Sequence, residues 1–468
     1  MVETIGWTIS QWLDAQRAST SDEGLSRIVA HVATFSKDDP AFITIASQEF
    51  LSDQWNRLHA IPNAKDLPLY GVPFAPKDNI DVAGLPTTVA CPAFKYEPTK
   101  DAVIIQILKA AGAIPICKTN LDQFATGLVG TRSPYGAVPS AFSDEYCSGG
   151  SSSGSANAAS RGLAPFALAT DTAGSVRVPA MHNNLIGLKP TRGALSATGV
   201  VPACKDLDCV SVLALNLPDA KTVFSITAKF DPADSYSRPL PKELPLTFGN
   251  KPKFAIPDEP KWFEDTQNAP LWEKFLQEAK SAGIELVRSD FSPMYKIGAC
   301  LYEGPWVAER YTVVRKLIET EPESIDPIIR SVIQSATKFS AADQFDWEHF
   351  RRDLVREIEL KFAAFDGFLV PTAPIATKIA DVRADPFKLN SKQGTYTNFV
   401  NLADFAALAI PAGFRAGDGQ PFGVTLVARK HTDYALLELA QRILSGNSRR
   451  LGHLDKYSVP NETDVVFS

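Results

Sequence analysis

The chain has 468 residues, 45% hydrophobic and 21% charged, with 47 basic and 53 acidic side chains giving a net charge of −6. That balance belongs to an ordinary folded globular protein and excludes disordered and fibrous classes; the length exceeds the roughly 250–300 residues that one core usually serves, so one large or two unequal domains are expected. No basic cluster is long enough for a nucleic-acid track or a membrane patch, which leaves small neutral or anionic molecules as candidate partners.

Helical periodicity opens the chain. Ile9, Trp12 and Leu13, then Leu25, Ile28 and Val29, then Leu51, Trp55 and Leu58 each keep one helical face and predict an N-terminal helical layer over residues 1–60. The opening MVETIGWTISQW has neither a basic nor an apolar leader region, and no run approaches the roughly 18 apolar residues of a membrane span, so secretion and insertion are not expected. The six cysteines, Cys91, Cys117, Cys147, Cys204, Cys209 and Cys300, lack CxxC spacing, which argues against a zinc site and for a reducing, cytoplasmic setting.

From Leu69 the texture becomes LYGVPFAPKDNIDVAGLPTT, with Lys77 at the end of a short apolar run. A lysine closing a buried strand must find partners or lose its proton. Taken alone, the stretch favours a surface lysine in a turn. Asp101 to Ala111 reads as a helix stopped by Gly112, followed by a strand over Ala113 to Cys117.

Cys147 to Ala180 carries two clusters of small residues, Gly149 to Ser155 and Asp171 to Ser175. Between them lie a helix candidate, Ala156 to Leu163, and a buried strand, Phe166 to Thr170. A strand entering such a turn presents a hydroxyl together with free backbone N–H groups, which is what acyl transfer requires. Gly367 to Pro371, Leu408 to Pro411 and Val424 to Ala428 read as further strands, and the helix–strand alternation predicts an α/β sheet.

Residues 219–361 change pattern and read as an inserted, specificity-determining region of a domain spanning 61–445. Its strands are expected at Lys253 to Pro257 and Ile284 to Val287, its helices at Leu271 to Ala282, Trp306 to Ile318 and Phe345 to Phe362. Phe345, Trp347, Phe350 and Phe362 are expected to pack rather than to bind a ligand. Tyr302 and Arg310 stand eight residues apart, a little over two helical turns, although Gly304-Pro305 breaks the first turn; taken alone they form a surface pair. A last helix, Tyr434 to Ile443, precedes a loosely ordered polar tail over 446–468.

A serine nucleophile needs a base. Gly150 to Gly154 satisfies GxSxG with Ser152 central, and His182 is the one histidine near the serine core, but no hydrophobic strand precedes the motif. A His-dependent α/β-hydrolase is therefore a distant alternative. HExxH spacing is absent, and GGSSSG has no Gly-Lys-Ser/Thr ending for a phosphate. What remains is a serine mechanism without histidine, for which lysine is the usual base.

GVPFAPKDN, GGSSSGSANA and TDTAGSVRVPA, in that order, resemble the amidase signature family, whose members cleave amides with a Ser–cis-Ser–Lys triad. DGFLVPTAP, AIPAGF and PFGVTLVA extend the resemblance over most of residues 65–430. It implies the amidase signature fold, a central mixed β-sheet covered by helices on both faces. It also implies Ser175 as nucleophile, Ser151 as bridging serine after a cis peptide, Lys77 as base, and the backbone N–H groups of Thr172, Ala173, Gly174 and Ser175 as oxyanion hole. Ala173 departs from the usual glycine; DTAGS, FATGLVGTRSPYG and LYEGPWVAERY look most like the allophanate hydrolase branch. That likeness implies Arg310 and Tyr302 as a clamp for the substrate carboxylate, with Gly127 as a further contact and Arg132 and Arg177 as structural. It calls for no cofactor and no metal. A homodimer, a further C-terminal domain and a linked biotin-dependent urea carboxylase are also expected; another amidase substrate, a small aliphatic amide or glutamine, is the alternative.

Overall fold

Ten strands pair into one mixed sheet. In spatial order the strands are Glu285–Ser289, Lys253–Pro257, Gly367–Pro371, Pro421–Arg429, Phe405–Phe414, Ile186–Lys189, Cys209–Ala214, Phe166–Asp171, Pro73–Pro76 and Ile114–Pro115. The three strands at each end run parallel to one another, and the pairings between these groups are antiparallel. Phe166–Asp171 and Cys209–Ala214 are buried at every position, as strands covered on both faces must be. The fold is α/β, a large mixed sheet flanked by helices. The structure, a computed structural model, describes residues 4–445, 452 and 453, so the tail expected over 446–468 lies outside the described residues except at Gly452 and His453.

The first three helices, Ile9–Ala18, Ser21–Val32 and Gln48–His59, start where their sequences cap them. Thr8 and Thr20 each form a reciprocal capping box, and Ser47 accepts from Phe50 N. Trp12, Ile28 and Trp55 from these helices join the main core beneath the sheet. Within residues 219–361, Lys253–Pro257 and Glu285–Ser289 form one edge of that same sheet. The helices Ser292–Glu303, Val307–Thr320 and Ala341–Lys361 follow them. Phe291, Phe362, Phe368 and Phe405 build a second, aromatic core, with Phe362 and Phe368 meeting edge to face at 5.0 Å between centroids.

Several boundaries differ from expectation for identifiable reasons. The helix between the serine clusters is Ser153–Ser160, earlier than expected, because Gly154 N bonds Asn120 O and draws the serine run into the first turn. The long helix begins at Ala341 because Ser340 and Asp343 form a capping box. The strand expected over Ala113 to Cys117 divides: Ile114–Pro115 joins the main sheet, whereas Cys117–Thr119 pairs with Phe42–Ile45. Packing of the long helix's aromatics holds for Trp347 and Phe362, which line the second core. It fails for Phe345 and Phe350, which are 65% and 46% exposed; their positions turn to the outer side of the helix, so their side chains meet solvent.

Candidate active site

Strand pairing brings the pieces together. Pro73–Pro76 runs parallel to Phe166–Asp171, with Pro76 opposite Leu168, so Lys77 leaves its strand beside Thr170. Lys77 N bonds Leu168 O at 3.0 Å. Its side chain is fully buried, and Nζ donates to Ser151 Oγ at 2.8 Å and Thr170 Oγ1 at 2.9 Å. The surface lysine that the stretch alone favours is thus replaced by a buried one. Burial pushes the Lys77 amine down to about 7; Asp208, Asp122 and Asp171 oppose the shift and Arg310 adds to it. Lys118 is also fully buried, but it is ion-paired with Asp78 at 3.5 Å, whereas no carboxylate among the described residues lies in ion-pair contact with Lys77.

The first serine cluster distributes its hydroxyls. The peptide between Gly150 and Ser151 is cis. Ser151 O accepts from Asp122 N at 3.1 Å, which holds the backbone that presents Ser151 Oγ to the lysine. Ser152 Oγ donates to Thr170 O, and Ser152 N donates to Ser175 O at 3.2 Å, which joins the two clusters. Asp122 serves as a staple: its carboxylate accepts from the N–H groups of Val129, Gly130 and Arg132. A Cβ on Gly150 would collide with Asp122 Oδ2 and with Gly130 N, so only glycine allows this approach.

The second cluster hangs on Asp171. Arg177 grips both Asp171 oxygens at 3.0 and 2.8 Å, and Val176 N bonds Oδ2 at 3.1 Å. Burial pushes the Asp171 carboxyl up, but Arg177, Lys189 and the Val176 N–H outweigh it and hold the group below its ordinary value. The turn that follows leaves Ser175 only 3% exposed, with no hydrogen bond from its hydroxyl among the described residues. The N–H groups of Thr172, Ala173, Gly174 and Ser175 likewise donate to no protein group among the described residues. Four free donors beside an unengaged hydroxyl can hold an oxyanion while that hydroxyl attacks.

Ser152 and His182 are not brought together. Ser152 Oγ is spent on Thr170 O, and His182 Nε2 faces Gln393 Oε1 at 3.1 Å. Burial pushes His182 down to about 4. Neither is available as the partner of the other.

Arg310 and Tyr302 belong to successive helices, Val307–Thr320 and Ser292–Glu303, split at Gly304. The surface pair that their spacing alone suggests is instead an internal one. The guanidinium lies 5.9 Å from the Tyr302 ring centroid, and Nη1 bonds Thr126 Oγ1 at 2.9 Å and Ala125 O at 3.3 Å. Nε and Nη2 make no bond among the described residues, which leaves a two-pronged donor. Gly127 follows this loop, and a Cβ there would sit 2.5 Å from Asp122 Oδ2. Arg132 spans Thr126 O and Pro386 O, a structural use.

Sequence reasoning missed Asp208. Its carboxylate accepts from the Thr172 hydroxyl and from Ala203 N and Cys204 N. The only sequence signal is its place before the strand Cys209–Ala214, itself not foreseen.

A family model described as Amidase matches residues 23–437. Urea amidolyase of Lachancea kluyveri is 51% identical over 94% of this chain and 24% of its own length. Urea amidolyase of Saccharomyces cerevisiae is 48% identical over 99% of this chain and 26% of its own. The chain thus spans about a quarter of the length of these relatives. A solved structure of Kluyveromyces lactis allophanate hydrolase matches at a TM-score of 0.96 and 48% identity, covering 98% of this chain and 76% of that one. With a family match that encloses both serine clusters and the buried lysine, the chain belongs to the amidase family.

Proposed function

We propose that the protein hydrolyses amides through a relay of Ser175, Ser151 and Lys77, and that its substrate is allophanate, converted with water to ammonia and N-carboxycarbamate. The observation that carries the relay is the 2.8 Å contact between Lys77 Nζ and Ser151 Oγ, made by an amine that titrates near 7. Half-neutral at pH 7, Lys77 accepts the Ser151 proton while Ser151 takes that of Ser175. Ser175 Oγ then attacks the amide carbonyl, and the developing oxyanion is received by the N–H groups of Thr172, Ala173, Gly174 and Ser175. The proton returns through the same relay to the leaving nitrogen, ammonia departs, and water repeats the sequence in reverse on the acyl-enzyme.

Allophanate carries a planar carboxylate beside its scissile amide. The unengaged Nε and Nη2 of Arg310, against the Tyr302 ring, suit that group, and the relatives named as urea amidolyase and allophanate hydrolase support the same substrate. Gly127 contributes backbone to the same wall. The reading also includes a cytoplasmic enzyme, in keeping with six free, buried cysteines, and a working unit with a further C-terminal domain linked to a urea carboxylase. The exposed Phe345, Phe350 and Leu360 supply apolar surface for a homodimer. Among the described residues no helix is long and apolar enough to cross a membrane.

Ammonia release from allophanate, malonamide, acetamide and glutamine tests the substrate. Preference for allophanate is expected; turnover of glutamine with none of allophanate sinks this choice. A fluorophosphonate that labels the wild type but not Ser175→Ala tests the nucleophile.

A further inference from the structure

Asp208 lies deep in the protein, yet it is only partly buried, because it forms the inner wall of a cavity of about 320 Å³. Thr170, Arg192, Lys205 and Tyr236 line the same space. Thr170 therefore borders this cavity while its hydroxyl accepts from Lys77 Nζ at 2.9 Å. No ion pair among the described residues reaches Asp208. Its oxygens instead face donors: the Thr172 hydroxyl, Ala203 N at 2.8 Å and Cys204 N at 3.2 Å. Backbone N–H groups only donate, so this cradle favours the ionised carboxylate. The cavity gives that carboxylate access to water, which makes an unpaired charge tolerable at such depth.

Thr172 opens the turn that ends at Ser175. Cys204, the other end of the cradle, donates its thiol to Glu309 Oε2 at 2.6 Å, and Glu309 precedes Arg310 on the helix Val307–Thr320. Asp208 thus sits where the oxyanion turn, the Ala203–Cys204 loop and the substrate-clamp helix meet. We infer that Asp208 is a positioning residue for the reaction, holding the Thr172–Ser175 turn by the Thr172 hydroxyl and supplying the fixed negative charge that faces both Lys77 and Arg310. The inference rests on the relay reading of the site. Four charged groups act on Lys77: Asp208, Asp122 and Asp171, which favour the ammonium, and Arg310, which opposes it; Asp208 has the strongest effect of the four. Burial raises the Asp208 carboxyl above its ordinary value, and the Thr172, Ala203 and Cys204 donors together with the Arg310 charge oppose that rise; Glu309 is its acidic neighbour.

The test reads the rate of Ser175 labelling by a fluorophosphonate, and of ammonia release, against pH in the full chain. In Asp208→Asn the lysine amine loses its proton more readily, so the acid limb moves to lower pH by roughly one unit. Its plateau rate also falls, because the Asn amide has one acceptor oxygen and cannot accept both from the Thr172 hydroxyl and from the Ala203 and Cys204 N–H groups. Thr172→Val leaves the charge in place and slows labelling roughly tenfold without moving the limb. A purely structural role would lower stability and leave the limb where it is. Should Asp208→Asn not fold, Asp208→Ser, which leaves room for cavity water, is read in the same way. An unmoved acid limb in the folded variant overturns this inference alone; full labelling of Lys77→Ala overturns the relay and this inference with it.

Discussion

Arg177 and Asp171 form a bidentate ion pair in which both side chains are fully buried. Arg177 also reaches Thr397 O at 3.0 Å and Asn401 Oδ1 at 3.0 Å, and Asn401 Nδ2 bonds Asp171 O at 2.7 Å. The pair therefore nails the strand carrying Thr170 to the segment 397–401, and the Thr172–Ser175 turn lies between Asp171 and Arg177. Removing Arg177 strands a buried carboxylate. Arg177→Met should cost about 3–5 kcal/mol of stability in urea unfolding. Adding Asp171→Asn should recover part of it, because the uncompensated charge is then gone; a loss under about 1 kcal/mol would falsify the staple role.

Hydrolysis by the wild type should rise with pH through a midpoint near 7, as Lys77 loses its proton. Lys77→Ala should lower kcat by about 10³-fold or more. A rate that is flat from pH 5 to 9 excludes Lys77 as the base.

The same lysine carries a stability cost with a definite sign. Its pKa falls from 10.5 in the free side chain to about 7 in the fold. Between these values the unfolded chain binds more protons than the folded one, so stability rises with pH across that window and the penalty is full below it. Lys77→Met should be more stable than the wild type at pH 7 by about 2–5 kcal/mol, and the difference should shrink toward pH 10.5. Thermal unfolding of both proteins at pH 7 and pH 10 measures this directly.

Arg310→Ala should raise KM for allophanate about 100-fold, corresponding to the roughly 2–4 kcal/mol of a truncated charge pair. Neutral amides should lose far less. Equal losses on allophanate and acetamide indicate that Arg310 serves only to hold Thr126 and Ala125.

Gly127→Ala separates two roles. A new Cβ would press on Asp122 Oδ2, the staple for Val129 and Gly130. Melting temperature and turnover should therefore fall together. An unchanged melting temperature with raised KM assigns Gly127 to substrate contact alone.

Much of the fold was legible because strands buried on both faces are short apolar runs, and Lys253–Pro257 and Gly367–Pro371 carry that pattern without interruption. Ile186–Lys189 was not legible: four residues ending in a buried lysine show no period. Phe345 and Phe350 misled because aromatic residues pack more often than not, and composition does not say which side of a helix meets the core.

The sequence by itself determined which atoms could react: two serine clusters twenty-four residues apart at Ser151 and Ser175, a lysine ahead of them, and glycines where no side chain fits. Only the tertiary structure decided what those atoms are. Lys77 is fitted to act as a base because the pairing of Pro73–Pro76 with Phe166–Asp171 buries it against Ser151 and Thr170, and Asp208 enters because folding, not spacing, sets it beneath Thr172. A proton affinity belongs to a side chain's surroundings, and those surroundings are assembled from segments that the chain keeps far apart.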